Sequence, residues 1–113
     1  MPLSLKSTVI DAKSPADLAR FWSEALNYEL HIDDDSWAWL TDSTGTQRLS
    51  FQFEREPKSA SNRLHLDIQA DDVDTEVERL SKLGATVKKK YPDPQEYLVV
   101  MQDPEGNEFC VFS

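Results

Sequence analysis

The sequence predicts an α+β fold built as two β-α-β-β-β modules, and three observations predict it. Two amphipathic helical stripes each end at a residue suited to the left-handed turn. Each is preceded by one extended segment and followed by three. The phrase "DSTG" at Asp42–Gly45 returns as "DPEG" at Asp103–Gly106, each time delivering the chain into an extended segment. Neither half alone could bury both a helix stripe and a sheet face, so paired modules are expected.

The elements follow in order. "TVIDA" (Thr8–Ala12) has strand character. In "SPAD", Ser14 is placed as N-cap, Pro15 at the first helical position and Asp17 as the partner in a capping box. Leu18, Phe21, Trp22, Ala25 and Leu26 then form one apolar stripe that suits the core, and Asn27 ends the helix. Extended segments follow at Tyr28–Ile32, Ser36–Leu40 and Arg48–Phe53, separated by the acidic run Asp33–Asp35 and by "DSTG". The polar stretch Glu54–Arg63, with Pro57, reads as a linker. The second half opens with a strand at Leu64–Gln69. "DDVD" starts a helix whose stripe is Val73, Val77, Leu80 and Leu83, and Gly84 ends it. Extended segments at Ala85–Lys89, Tyr97–Met101 and Glu108–Phe112 complete the repeat, with a slightly longer hairpin at "YPDPQE". Module one covers about 5–54 and module two about 63–113, together one domain over 1–113.

Composition narrows the partners. Twelve basic against 21 acidic residues give a formal net charge of −9, which repels nucleic acid and anionic membrane. It also serves solubility, and favours a cationic or neutral ligand. No apolar stretch approaches the roughly 20 residues that span a bilayer, and the N-terminus carries no basic-then-apolar signal. A single cysteine cannot form an internal disulfide, so a reducing cytoplasm is the expected location.

The doubled order, with "SPADLARFWSEALNYEL", "NRLHLDIQADDVDTEVERLSKLGATV" and the closing "DPEGNEFCVF", resembles the vicinal oxygen chelate superfamily. More narrowly it resembles the glyoxalase-like, bleomycin-resistance-like branch, whose relatives include glyoxalase I, fosfomycin-resistance enzymes and extradiol dioxygenases. The resemblance covers nearly the whole chain. It implies a curved, mostly antiparallel sheet around a shared cavity, with the helices outside. In the enzymes that cavity holds a divalent metal chelating two neighbouring substrate oxygens. Superfamily relatives also commonly pair, so a homodimer is expected.

Strand alternation assigns side chains to faces. Leu64, Leu66 and Ile68 suit the helix side, which turns His65, Asp67 and Gln69 the other way. Phe109 and Val111 likewise turn Glu108, Cys110 and Phe112 toward the cavity. Ser50 and Gln52 oppose Leu49, Phe51 and Phe53, and Asp11 and Ser7 are placed with them. On the resemblance, the metal-cage positions read Ser7 (or Thr8), Ser50 (or Leu49), His65 and Cys110, where metalloenzymes of the superfamily carry histidine and glutamate. The usual cage is therefore depleted and no metal is expected. The alternative is a zinc-like set of His65, Asp67 and Cys110. His65 reads equally as a hydrogen-bonded strand histidine, and Cys110 as a small buried hydrophobe. Trp37 and Trp39 share one strand face, either under the helix or lining the cavity. In the second case, with Tyr97 or Phe112 opposite, the ligand would be flat or apolar, and Asp11, Asp67 and Glu108 would favour positive charge.

The expected function is small-molecule binding, with Gln52, His65, Asp67, Cys110, Trp37 and Trp39 in contact with the ligand. The alternative is a lyase, isomerase or other vicinal-oxygen-chelate enzyme, with or without a divalent metal. There His65 is the candidate catalytic base, beside Asp67 or Gln52. A third possibility is an interaction module with a vestigial cavity.

Overall fold

The computed structural model describes residues 5–56 and 64–113, and divides into two compact units, residues 1–57 and 58–113. Most of the expected linker, residues 57–63, lies outside the described residues.

Unit one runs β1 (Thr8–Ala12), α1 (Pro15–Leu26), β2 (Glu29–Asp34), β3 (Trp37–Thr41) and β4 (Arg48–Phe53). Its four-stranded sheet has the order β1-β4-β3-β2, with β1 parallel to β4 and the other pairs antiparallel. Pro15 opens α1 with its φ already helical, and the Leu18 amide donates to the Ser14 carbonyl at 3.0 Å. The expected capping box differs in detail. Ser14 makes no side-chain capping bond, and Asp17 pairs with Arg20 at 3.0 Å. Asn27 closes the helix in the left-handed region at φ 58°, its amide bonded to the Ser23 carbonyl. The stripe buries Leu18, Phe21 and Trp22 against Ala38, Leu40, Leu49 and Phe51. Each large side chain taken fully out of water contributes about 1.5–3 kcal/mol, so this layer dominates the stability of the unit.

Unit two repeats the plan as β5 (Leu66–Gln69), α2 (Val73–Leu83), β6 (Thr86–Tyr91), β7 (Leu98–Gln102) and β8 (Glu108–Phe112). The order is β5-β8-β7-β6, again with one parallel pair, β5 with β8. Asp72 caps α2 by accepting from the Thr75 amide at 3.1 Å, and Gly84 ends it at φ 121°. Val73, Val77 and Leu80 cover Val99, Met101, Phe109 and Val111. One expectation fails here. The strand begins at Leu66, not Leu64, because its parallel ladder starts where Leu66 meets Phe109. Leu64 is 83% exposed and has no place on the helix side.

The repeated phrase makes the same turn twice. The Asp42 carboxylate accepts from the Thr46 and Gln47 amides at 3.0 and 3.2 Å, with Gly45 at φ 75°. The Asp103 carboxylate accepts from the Glu105 and Asn107 amides at 2.9 Å each, with Gly106 at φ 86°. Among the described residues no helix is long and apolar enough to cross a membrane.

Candidate functional site

A sheet covered by a helix on one face has its chemistry on the other. In unit two that open face carries Asp67 and Gln69 from β5 and Glu108, Cys110 and Phe112 from β8. Asp67 and Cys110 are partners across the parallel ladder. His65 stands just before β5, and its Nε2 lies 3.2 Å from Asp67 Oδ1, both side chains being about half exposed. One ligand atom from each of His65, Asp67 and Cys110 falls within 4.8 Å of the other two. The structure therefore brings these three expected residues together. Burial, and then the negative charges of Asp67 and Glu108, push the Cys110 thiol up, so it is protonated at neutral pH. Glu108 is itself ion-paired with Lys88.

Unit one holds the rest of the expected set. Ala38 and Leu40 are fully buried on the helix face, so Trp37 and Trp39, alternating with them, lie half-buried on the open face. Of the two registers considered, Ser7 with Ser50 takes this face. Their hydroxyls are 2.6 Å apart, while Thr8 pairs with Leu49 in the ladder. The Gln52 amide donates to Asp11 at 2.7 Å. The three carboxylates expected to favour a cation are thus each engaged, Asp11 by Gln52, Asp67 by His65 and Glu108 by Lys88. Tyr97 is tied elsewhere. Its hydroxyl donates at 2.8 Å to Asp74 in the first turn of α2, which raises its pKa.

Sequence reasoning missed three residues on the open face of unit one. His31 stacks on Trp39 with 5.1 Å between centroids and 10° between planes, and Glu29 lies 3.9 Å from His31. Arg48 sits over the Trp39 ring at 4.7 Å. The signal was available: "ELH" alternates in phase with "WAW" once β2 and β3 are paired, setting His31 opposite Trp39. A separate groove of about 550 Å³ opens at the start of α1, between Arg20, Ile32 and Phe53, and none of the expected site residues lines it.

The model of a family described as a glyoxalase-like domain matches residues 7–112. No curated protein matches the chain by sequence. A glyoxalase/bleomycin resistance protein/dioxygenase family enzyme from Burkholderia phytofirmans is similar in structure, with TM-score 0.77, 20% identity and 94% of each chain covered. Lactoylglutathione lyase from Agrobacterium tumefaciens has TM-score 0.69 at 21% identity, over 99% of this chain and 94% of that one. A mutant of the fosfomycin resistance protein FosX from Listeria monocytogenes, complexed with Mn(II) and 1S,2S-dihydroxypropylphosphonic acid, has TM-score 0.77 at 17% identity, over 98% and 90%. At such identities these likenesses show a common fold.

Proposed function

Since this chain belongs to the glyoxalase-like domain family, we propose that it binds a small molecule on the open faces of its sheets, with the superfamily's usual metal cage depleted. One observation carries the reading. Trp37 and Trp39 are half-buried on the face away from α1, where the core makes no demand for two indoles and a ligand does. The donor chemistry agrees with it. Ser7 and Ser50 are neutral and hydrogen-bonded to each other, and Cys110 is a protonated thiol. A hard divalent ion takes carboxylate oxygens or imidazole nitrogens, so these positions do not fit it.

A second reading, as an enzyme, is favoured by the convergence of His65, Asp67 and Cys110. That nitrogen, oxygen and sulfur set suits a borderline ion such as zinc, which when bound would supply Lewis acidity. Without an ion, a proton on Nε2 facing Asp67, 3.2 Å away, would leave Nδ1 as an acceptor. That is the arrangement of a general base for a lyase or isomerase.

Metal analysis and ligand-induced thermal shift separate the two. The purified protein should carry no stoichiometric divalent metal, and a small-molecule screen should yield ligands that raise its melting temperature. His65→Ala should weaken those ligands by about 1 kcal/mol, a modest loss because the imidazole is half exposed. The substitution should move the melting temperature by less than about 4 °C. A stoichiometric metal in the wild type that disappears in His65→Ala would transfer the assignment to the enzyme. Failure of that variant to fold would put the imidazole in the core.

The proposal extends to assembly and setting: the whole chain acts as one domain, as a homodimer in the cytoplasm. The strands at the ends of each sheet order leave backbone groups for a partner, and the one cysteine is a free thiol. Sedimentation at high micromolar concentration should give the dimer; monomer alone would exclude it.

A further inference from the structure

We infer that the open face of unit one carries a site for a planar carboxylate, built on Arg48, Trp39 and His31. The inference rests on the small-molecule reading above and names the class of ligand. Ladder register sets two rows across β2, β3 and β4: Glu29, Thr41 and Arg48 in one, His31, Trp39 and Ser50 in the next. The imidazole lies nearly parallel to the indole, and the Arg48 guanidinium lies over the same indole. Imidazole, indole and guanidinium thus form one patch of flat groups on a half-buried surface.

The charge of Arg48 is the unanswered part of that patch. A guanidinium has five donors and is costly to desolvate unless an acceptor meets it. Among the described residues Arg48 has an aromatic partner and no acidic one, and its Nε is buried without a hydrogen bond. Glu29 does not answer it. Glu29 is two strands away in the same row, a backbone separation of about 10 Å, and its carboxylate lies 3.9 Å from His31 Nε2. Asp11, on β1, is held by Gln52. His31 in turn shares its Nε2 with Thr41 at 3.3 Å. Among the described residues the guanidinium thus lacks a carboxylate partner, although the chain as a whole carries a formal net charge of −9. A guanidinium held over an indole can still present N–H groups to a carboxylate, the pairing whose geometry it fits best. An aromatic acid satisfies both requirements at once, with its carboxylate on the guanidinium and its ring against the edges of the indole and imidazole.

Benzoate and its neutral isostere benzamide are the probes, titrated into the full chain while the indole N–H signals are followed by NMR. A Trp39→Phe spectrum assigns the Trp39 signal. Benzoate should shift that signal and bind about tenfold or more tightly than benzamide. Arg48→Met, which keeps the stem and removes the charge, should bring the two probes to the same affinity. Arg48→Lys, which keeps the charge and loses the fork, should retain part of the preference. If benzoate and benzamide bind the wild type equally, small-molecule binding stands and the carboxylate site falls. The site falls also if benzoate leaves the Trp39 signal unmoved, or if Arg48→Met keeps full preference. Should Arg48→Met fail to fold, the wild-type comparison and Arg48→Lys decide.

Discussion

Asp42 and Asp103 do one task at two depths. Both fold a carboxylate back onto the amides of their own turn, but Asp103 is 3% exposed while Asp42 stands in a turn of mostly exposed residues. Asp103→Ala strands half-buried amides and should cost about 1–3 kcal/mol in urea denaturation. Asp42 should matter less and show its contribution through pH. Desolvation is the largest single influence on its carboxyl and pulls upward. The bonds from Gln47, Thr44, Thr46 and Gly45 together outweigh it, so the pKa lies below the usual carboxylate range. A depressed folded pKa means stability fully present above the unfolded value near 4 and lost as pH falls through the folded one. The stability gap between wild type and Asp42→Asn should accordingly be open at pH 7 and close as acidification carries the carboxyl through its lowered folded pKa. A gap of constant size across that range would show that the charge of Asp42 contributes nothing. Asp34, lowered first by its bond from the Ser36 hydroxyl, acts in the same direction.

At the scale of elements, both helices are legible because stripe and stop agree. Asn27 and Gly84 stand where the apolar period ends, and both adopt positive φ. The two stops differ in tolerance. Asn27→Gly should leave stability within about 0.5 kcal/mol, since the conformation is one glycine takes freely. Gly84→Ala should cost about 1–3 kcal/mol, because a side chain at φ 121° is strained and its Cβ would stand 3.4 Å from Pro104 Cγ. An unchanged unfolding midpoint for Gly84→Ala would mean that the turn relaxes around the methyl group. Strand faces were harder to read where both sides are apolar. In "WAWLT" the period of two gives no polar side, so only the burial of Ala38 and Leu40 under α1 assigns Trp37 and Trp39. His65 was assigned to a strand that starts one residue later, since an apolar Leu64 extends the alternation past the point where the ladder with β8 begins. His31 and Arg48 escaped notice because their contact to Trp39 crosses strands, and alternation along one strand carries no information about its neighbour.

At the scale of the whole chain, each unit joins its first strand to its last in parallel. Ala12 meets Phe53 in one, and Gln69 meets Phe112 in the other. The hairpins between them are local and close within microseconds, whereas the parallel contact must wait for most of the unit to be gathered in. The first strands should therefore zip up last and open first. Native-state hydrogen exchange should find the amides of β1 and β5 less protected than those of β3 and β7. Uniform protection within a unit would instead mean that it opens as one block. Asp67 rides on β5 and His65 directly precedes it. The donor set of unit two is thus assembled by the slowest contact that unit makes, and is the first to come apart when it breathes.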